Sequence, residues 1–132
     1  MSEFLHEECG VFGIHNRDGS DISIRMYYGL FALQHRGQES CGIAVRRGNE
    51  IVCHKGMGLV AEVFSPAVLS GLNGSAAIGH VRYSTAGRSV YENAQPIVTQ
   101  YSKGAISIAH NGNLTNADRL RSELSEKGAI FQ

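Results

Sequence analysis

Charge of either sign is not in surplus: Lys and Arg total 12, Asp and Glu total 12, and with the six His neutral the formal net charge is zero. Electrostatic binding to nucleic acid or to a membrane surface needs an excess of Lys and Arg, so neither partner is expected. No apolar run approaches the roughly 18 to 20 residues that a membrane span needs. Met1–Glu8 holds Glu3, Glu7 and Glu8 but no Lys or Arg, which excludes a secretory signal. The three cysteines, Cys9, Cys41 and Cys53, are odd in number, widely spaced and without a Cys-x-x-Cys pair. Neither a disulfide framework nor a thiolate metal site is expected from them, and a reducing, cytoplasmic setting fits. The histidines form no i, i+4 helical pair and no combination with Cys at ligand spacing, so no metal is expected. Proline is scarce, at two residues, whereas glycine reaches 16 of 132, about 12%, against a usual value of roughly 7%. That combination is neither collagen-like nor a linker, and predicts frequent use of the backbone itself.

Hydrophobic residues make up 42% of the chain and charged ones 18%, enough apolar material for one core, so one domain or a piece of one is expected. No internal repeat or low-complexity tract occurs. Val11–His15 reads as a short strand. Ile22, Met26, Leu30 and Leu33 mark a helix stripe over Asp21–His35. Gly42–Arg47 and Glu50–His54 flank Gly48-Asn49 and predict a hairpin. Leu59–Leu72 reads as short helical turns interrupted at Ser65-Pro66, and Ala76–Tyr83 as a strand. A second hairpin, Ile97–Tyr101 with Ala105–His110, runs into the loop Asn111-Gly112-Asn113. Thr115 with Asp118 has the form of a helix cap, Ala117, Leu120 and Leu124 would supply the buried stripe, and Gly128 the stop. Ala129–Phe131 begins another apolar segment. Antiparallel hairpins alternating with two amphipathic helices predict an α+β layered fold.

Four segments could carry chemistry, and each also has a plain structural reading. Cys9 opens a strand between two carboxylates and a glycine; most free cysteines are small buried hydrophobes, and acidic neighbours oppose a thiolate. Cutting the Glu8–Cys9 bond would remove those carboxylates and place a free α-amine on the residue that carries the thiol. An α-amine, with pKa about 7.7 to 8.0, can take a proton from a thiol of about 8.5. An internal peptide nitrogen cannot. Ala109-His110-Asn111-Gly112-Asn113-Leu114 offers a side-chain amide and outward backbone amides, the parts of an oxyanion hole, and is equally a tight turn. Arg82, in Gly79-His80-Val81-Arg82-Tyr83-Ser84-Thr85-Ala86-Gly87, could grip a carboxylate or form an ordinary ion pair. Gln34-His35-Arg36-Gly37-Gln38-Glu39 closes a helix with cations that complement its dipole.

Together, and in this order, these segments, the first of them Cys9-Gly10-Val11-Phe12-Gly13-Ile14, resemble the amidophosphoribosyltransferases over the whole chain. Other class II glutamine amidotransferases share the Cys-Gly start and the Asn-Gly turn. The resemblance implies an N-terminal nucleophile hydrolase fold, a four-layer αββα sandwich with antiparallel sheets, incomplete in this chain. It also implies glutamine hydrolysis in the first step of purine nucleotide synthesis. Residues 1–8 then correspond to a propeptide and 9–132 to the N-terminal part of the glutaminase domain. By the same carry-over Cys9 is the nucleophile, its freed amine the base, and Asn111 with Gly112 the oxyanion donors. Arg82 binds the substrate carboxylate; Tyr83, Ser84 and Thr85 form a wall beside it, Arg36 and Gly37 lie against the nucleophile, and His110 belongs to the substrate site.

The family's second domain, which binds phosphoribosylpyrophosphate with Mg²⁺, has no counterpart here. In some members an iron–sulfur cluster is held by cysteines of that region, and the family implies a homo-oligomer at full length. No cofactor is expected in these residues. The family's Ser-Asp-Thr-Glu-like motif, which binds the glutamine α-amine, would fall beyond Gln132. Two readings therefore compete: the amide-hydrolysing part of such an enzyme, and a truncated non-catalytic module that pairs with another chain. The glutaminase part of another class II amidotransferase is a third.

Overall fold

The computed structural model describes residues 8–18, 21–83 and 89–131. Along them run β1 (Gly10–His15), α1 (Ile22–Ala32), β2 (Ser40–Arg47), β3 (Glu50–Met57), α2 (Val60–Val63), α3 (Pro66–Ser70), β4 (Ala76–Arg82), β5 (Ile97–Tyr101), β6 (Gly104–Ile108) and α4 (Ala117–Glu126). Short 3₁₀ turns occupy Gln34–Arg36 and Tyr91–Asn93. One sheet has the order β1-β4-β2-β3, and β5 pairs with β6 in a second; every pairing is antiparallel.

The apolar spacing of α1 is the reason it lies where it does. Ile22, Met26 and Leu30, four residues apart, are fully buried and pack with Cys41, Ile43, Val45 and Val81 of the sheet. Asp21 caps the helix: it accepts from the Ser23 hydroxyl at 2.7 Å and from the Ile24 amide at 3.3 Å. The same two donors hold its carboxyl below the usual value. Side chains alternate along the strands, so Cys41, Ile43 and Val81 face the helices while Ala44, Ile78, His80 and Arg82 face the β5–β6 hairpin. Between sheet and hairpin lies an apolar gap of about 480 Å³, lined among others by Gly13, Ala44, Ile51, Ile78, Ala105 and Ile106.

Several boundaries differ from the sequence reading. The first helix ends at Ala32 rather than His35, because Gln34 ties the chain elsewhere: its Nε2 donates to the Gly37 carbonyl and its Oε1 accepts from the Val60 amide, both at 2.6 Å. Ser65-Pro66 is the start of α3 as well as a break. The Ser65 hydroxyl accepts from the Val68 amide, and proline occupies the first turn, where no donor is lost. Thr115 is not the cap of α4; that position is held by Asn116, whose side chain makes no capping bond. The stop at Gly128 is as expected. Its φ is +91°, and Gly128 and Ala129 donate to Ser125 and Leu124 at 2.9 Å, closing the helix end. The predicted buried stripe of α4 is corrected too: no residue of this helix is buried, and Leu124 is 46% exposed, because no described element packs over it.

Candidate active site

The ends of three strands meet at one edge of the fold. The start of β1 brings Cys9, the end of β4 brings Arg82 and Tyr83, and the loop after β6 brings His110, Asn111 and Gly112. With Glu8, Gln95 and Asn113 these residues line a polar cleft of about 100 Å³. It is smaller than the apolar gap between the sheets, but it is where the candidate nucleophile, guanidinium and amide groups converge.

The Cys9 thiol is held against the main chain of Tyr83. It donates to the Tyr83 carbonyl and accepts from the Tyr83 amide, each at 3.3 Å. This explains why β4 stops at Arg82 rather than Tyr83: the next peptide group is engaged by sulfur. The Cys9 carbonyl accepts from Asn111 Nδ2 at 2.6 Å and from Arg36 Nε at 3.3 Å. Arg36 and Asn111 thus share the nucleophile's carbonyl as acceptor, while the neighbouring Gly37 lies against the backbone of Val81 and Arg82. Gly37 is required there by close approach, since a Cβ would sit 2.6 Å from the Arg82 carbonyl carbon. Gly112 has φ +124°, a backbone state that side chains disfavour.

Arg82 is buried, and its Nη1 lies 3.5 Å from Glu39 Oε2. Glu39 is itself fixed by its backbone, which donates to the Arg82 carbonyl and accepts from Gly58. Behind the cleft His80 is fully buried. Its Nε2 lies 3.2 Å from the His110 carbonyl, so that nitrogen carries the proton, because a carbonyl can only accept. Burial pushes the His80 ring down to about 4, against the His110 carbonyl and with the Arg82 charge adding to the fall. Strand β6 ends at Ile108, two residues short of the predicted His110, whose amide instead donates to Gln95 Oε1 at 2.7 Å.

The structure thus gathers Cys9, Arg82, Tyr83, His110, Asn111 and Gly112 in one cleft, with Arg36 on the Cys9 carbonyl and Gly37 against the backbone of Arg82. Ser84, Thr85 and residues 1–7 of the expected propeptide lie outside the described residues. Reading the sequence missed Gln95 and Glu39. The only signal for Gln95 was a polar residue directly before Pro96 at the entrance to β5. Among the described residues no three His, Cys, Asp or Glu side chains gather, and Cys9, Cys41 and Cys53 are free.

Residues 58–127, more than half of the chain, match the family model described as glutamine amidotransferases class-II. The chain is 49% identical over 128 residues to the amidophosphoribosyltransferase of Methanothermobacter thermautotrophicus, covering 96% of this chain and 27% of that one. It is 50% identical to the amidophosphoribosyltransferase of Bacillus subtilis, covering 97% and 27%. A solved structure of the allosteric regulatory enzyme of purine biosynthesis superposes with TM-score 0.84 at 48% identity, over 92% of this chain and 26% of that one. The chain therefore spans about a quarter of the length of the relatives it matches. The α+β architecture with antiparallel sheets, of the N-terminal nucleophile hydrolase type expected from the resemblance, is the one observed. By sequence pattern over most of its second half and by fold over nearly all of its length, the chain belongs to the class-II glutamine amidotransferases.

Proposed function

We propose that this chain is the glutamine-hydrolysing part of an amidophosphoribosyltransferase, a cytoplasmic enzyme that makes phosphoribosylamine from glutamine, phosphoribosylpyrophosphate and water and releases glutamate and diphosphate. The observation that carries the reading is the convergence of Cys9, Arg82, Asn111 and Gly112, from distant parts of the chain, on one small polar cleft. The names of the relatives at about half identity support the phosphoribosyl acceptor.

In this reading residues 1–8 are removed, and the new α-amine of Cys9 takes the proton from its own thiol. Sulfur bonds to the carboxamide carbon, and the oxygen of that group gains charge that Asn111 Nδ2 and the Gly112 amide stabilise. Collapse breaks the carbon–nitrogen bond, and the amine returns its proton to the departing ammonia. Water then adds to the glutamyl thioester, yielding glutamate and the free thiol. Arg82 binds the α-carboxylate of glutamine, with Glu39 steadying the guanidinium. Tyr83 and His110, which line the cleft, face the bound substrate.

The test is glutamine hydrolysis by the full-length protein with single substitutions. Cys9→Ala should abolish it. Asn111→Ala should lower kcat by about a hundredfold to a thousandfold, the usual cost of one oxyanion donor. Arg82→Met should raise KM far more than it lowers kcat. Undiminished turnover by Cys9→Ala would overturn the reading.

A further inference from the structure

The backbone of His110 is held at both its amide and its carbonyl by residues that make no hydrogen bond to Cys9. Its amide donates to Gln95 Oε1 at 2.7 Å and its carbonyl accepts from His80 Nε2 at 3.2 Å. Asn111, whose amide nitrogen lies 2.6 Å from the Cys9 carbonyl, follows directly, and Gly112 comes next. Because β6 has ended at Ile108, no strand ladder orders this segment. We propose that His80 and Gln95 are positioning residues that clamp the His110 peptide and so fix the two oxyanion donors that follow it. The proposal rests on the reading that Cys9 hydrolyses glutamine in this cleft.

Two features argue that the clamp is selected for its hydrogen bonds rather than for filling space. His80 is fully buried, yet its second ring nitrogen, Nδ1, has no partner among the described residues. An unsatisfied buried acceptor destabilises the fold, a penalty that a phenylalanine at the same place would not incur. The ring is therefore present for its single donor, and the low proton affinity that burial gives it keeps it neutral near pH 7. Gln95, in turn, sits on a rigid support. Lys55 Nζ donates to the Ala94 carbonyl at 2.6 Å, Ala94 is fully buried, and the Gln95 carbonyl occupies the space left by the missing side chain of Gly42. Donors that must meet developing charge need placement to within a fraction of an ångström, so the supporting hydrogen bonds matter as much as the donors.

The experiment compares four variants of the full-length protein, His80→Phe, His80→Gln, Gln95→Leu and Gln95→Glu, with Cys9→Ala as the control. Three quantities are read for each: kcat and KM for glutamine hydrolysis, the rate of Cys9 alkylation by iodoacetamide, and the melting temperature. Alkylation needs the thiol but no oxyanion donor. His80→Phe and Gln95→Leu should each lower kcat by about tenfold to a hundredfold, part of the cost of losing a donor outright. KM and the alkylation rate should stay within about twofold of the parent. His80→Gln restores a donor and Gln95→Glu an acceptor, and each should recover most of kcat. Parental kcat in His80→Phe or Gln95→Leu would overturn the proposal, as would losses matched by slower alkylation and not recovered by the conservative partner. If His80→Phe does not fold, the Gln95 pair decides alone, because that residue is only half-buried. Turnover that persists in Cys9→Ala would instead refute the functional reading.

Discussion

Burial pushes the Cys41 thiol up to about 12, with the Glu62 carboxylate adding to the effect. Cys53 is pushed up as well, also by burial, with the Lys55 charge opposing it. Both thiols stay protonated near neutrality, and thiols attack electrophiles as thiolates. Brief treatment of the folded protein with iodoacetamide at pH 7.5 should therefore modify Cys9 and leave Cys41 intact. Peptide mass mapping reads this directly, and modification of Cys41 before Cys9 would contradict it. Gly37 makes a second prediction at the scale of one residue. A methyl group there meets the backbone of Arg82, which cannot move aside as a side chain could. Gly37→Ala should cost about 1 to 3 kcal/mol by chemical denaturation and slow glutamine hydrolysis as Arg82 and Cys9 shift. Glycine abundance in the sequence pointed to frequent use of the backbone, but not to which strand would approach which loop.

At the scale of elements, α1 was legible because its burial follows its own periodicity. Met26→Ala, at a fully buried position between Ile22 and Leu30, should destabilise the fold by about 2 to 5 kcal/mol in urea titration. A loss below 1 kcal/mol would mean that the helix does not seal the sheet. Both hairpins were legible from their turn residues and alternation. Where elements ended was not, since tertiary bonds set the ends: Gln34 draws the chain out of α1, sulfur halts β4, and Gln95 takes the amide that would have extended β6. The apolar spacing of α4 predicted a buried face that the described structure leaves open. Periodicity states which face of a helix is apolar and says nothing of what covers it.

For the whole molecule, His80 couples stability to pH. Its ring titrates at about 4 in the fold against an ordinary value of 6.5, so between those pH values the unfolded chain binds a proton that the folded one excludes. The contribution is intact above about 6.5, is lost as pH falls toward 4, and levels off below. Melting temperatures measured across this window should fall more steeply for the parent than for His80→Gln, and equal slopes would contradict the assignment. The candidate site was legible as four separate motifs whose meeting point no spacing revealed, because it depends on β1 and β4 pairing in register and on the turn after β6 folding back over Cys9. Rapid acid quenching of the full-length protein during glutamine turnover, followed by peptide mass spectrometry, should find a glutamyl adduct on a peptide that begins at Cys9. An adduct on another residue, or sustained turnover with residues 1–8 still attached, would contradict the proposed mechanism.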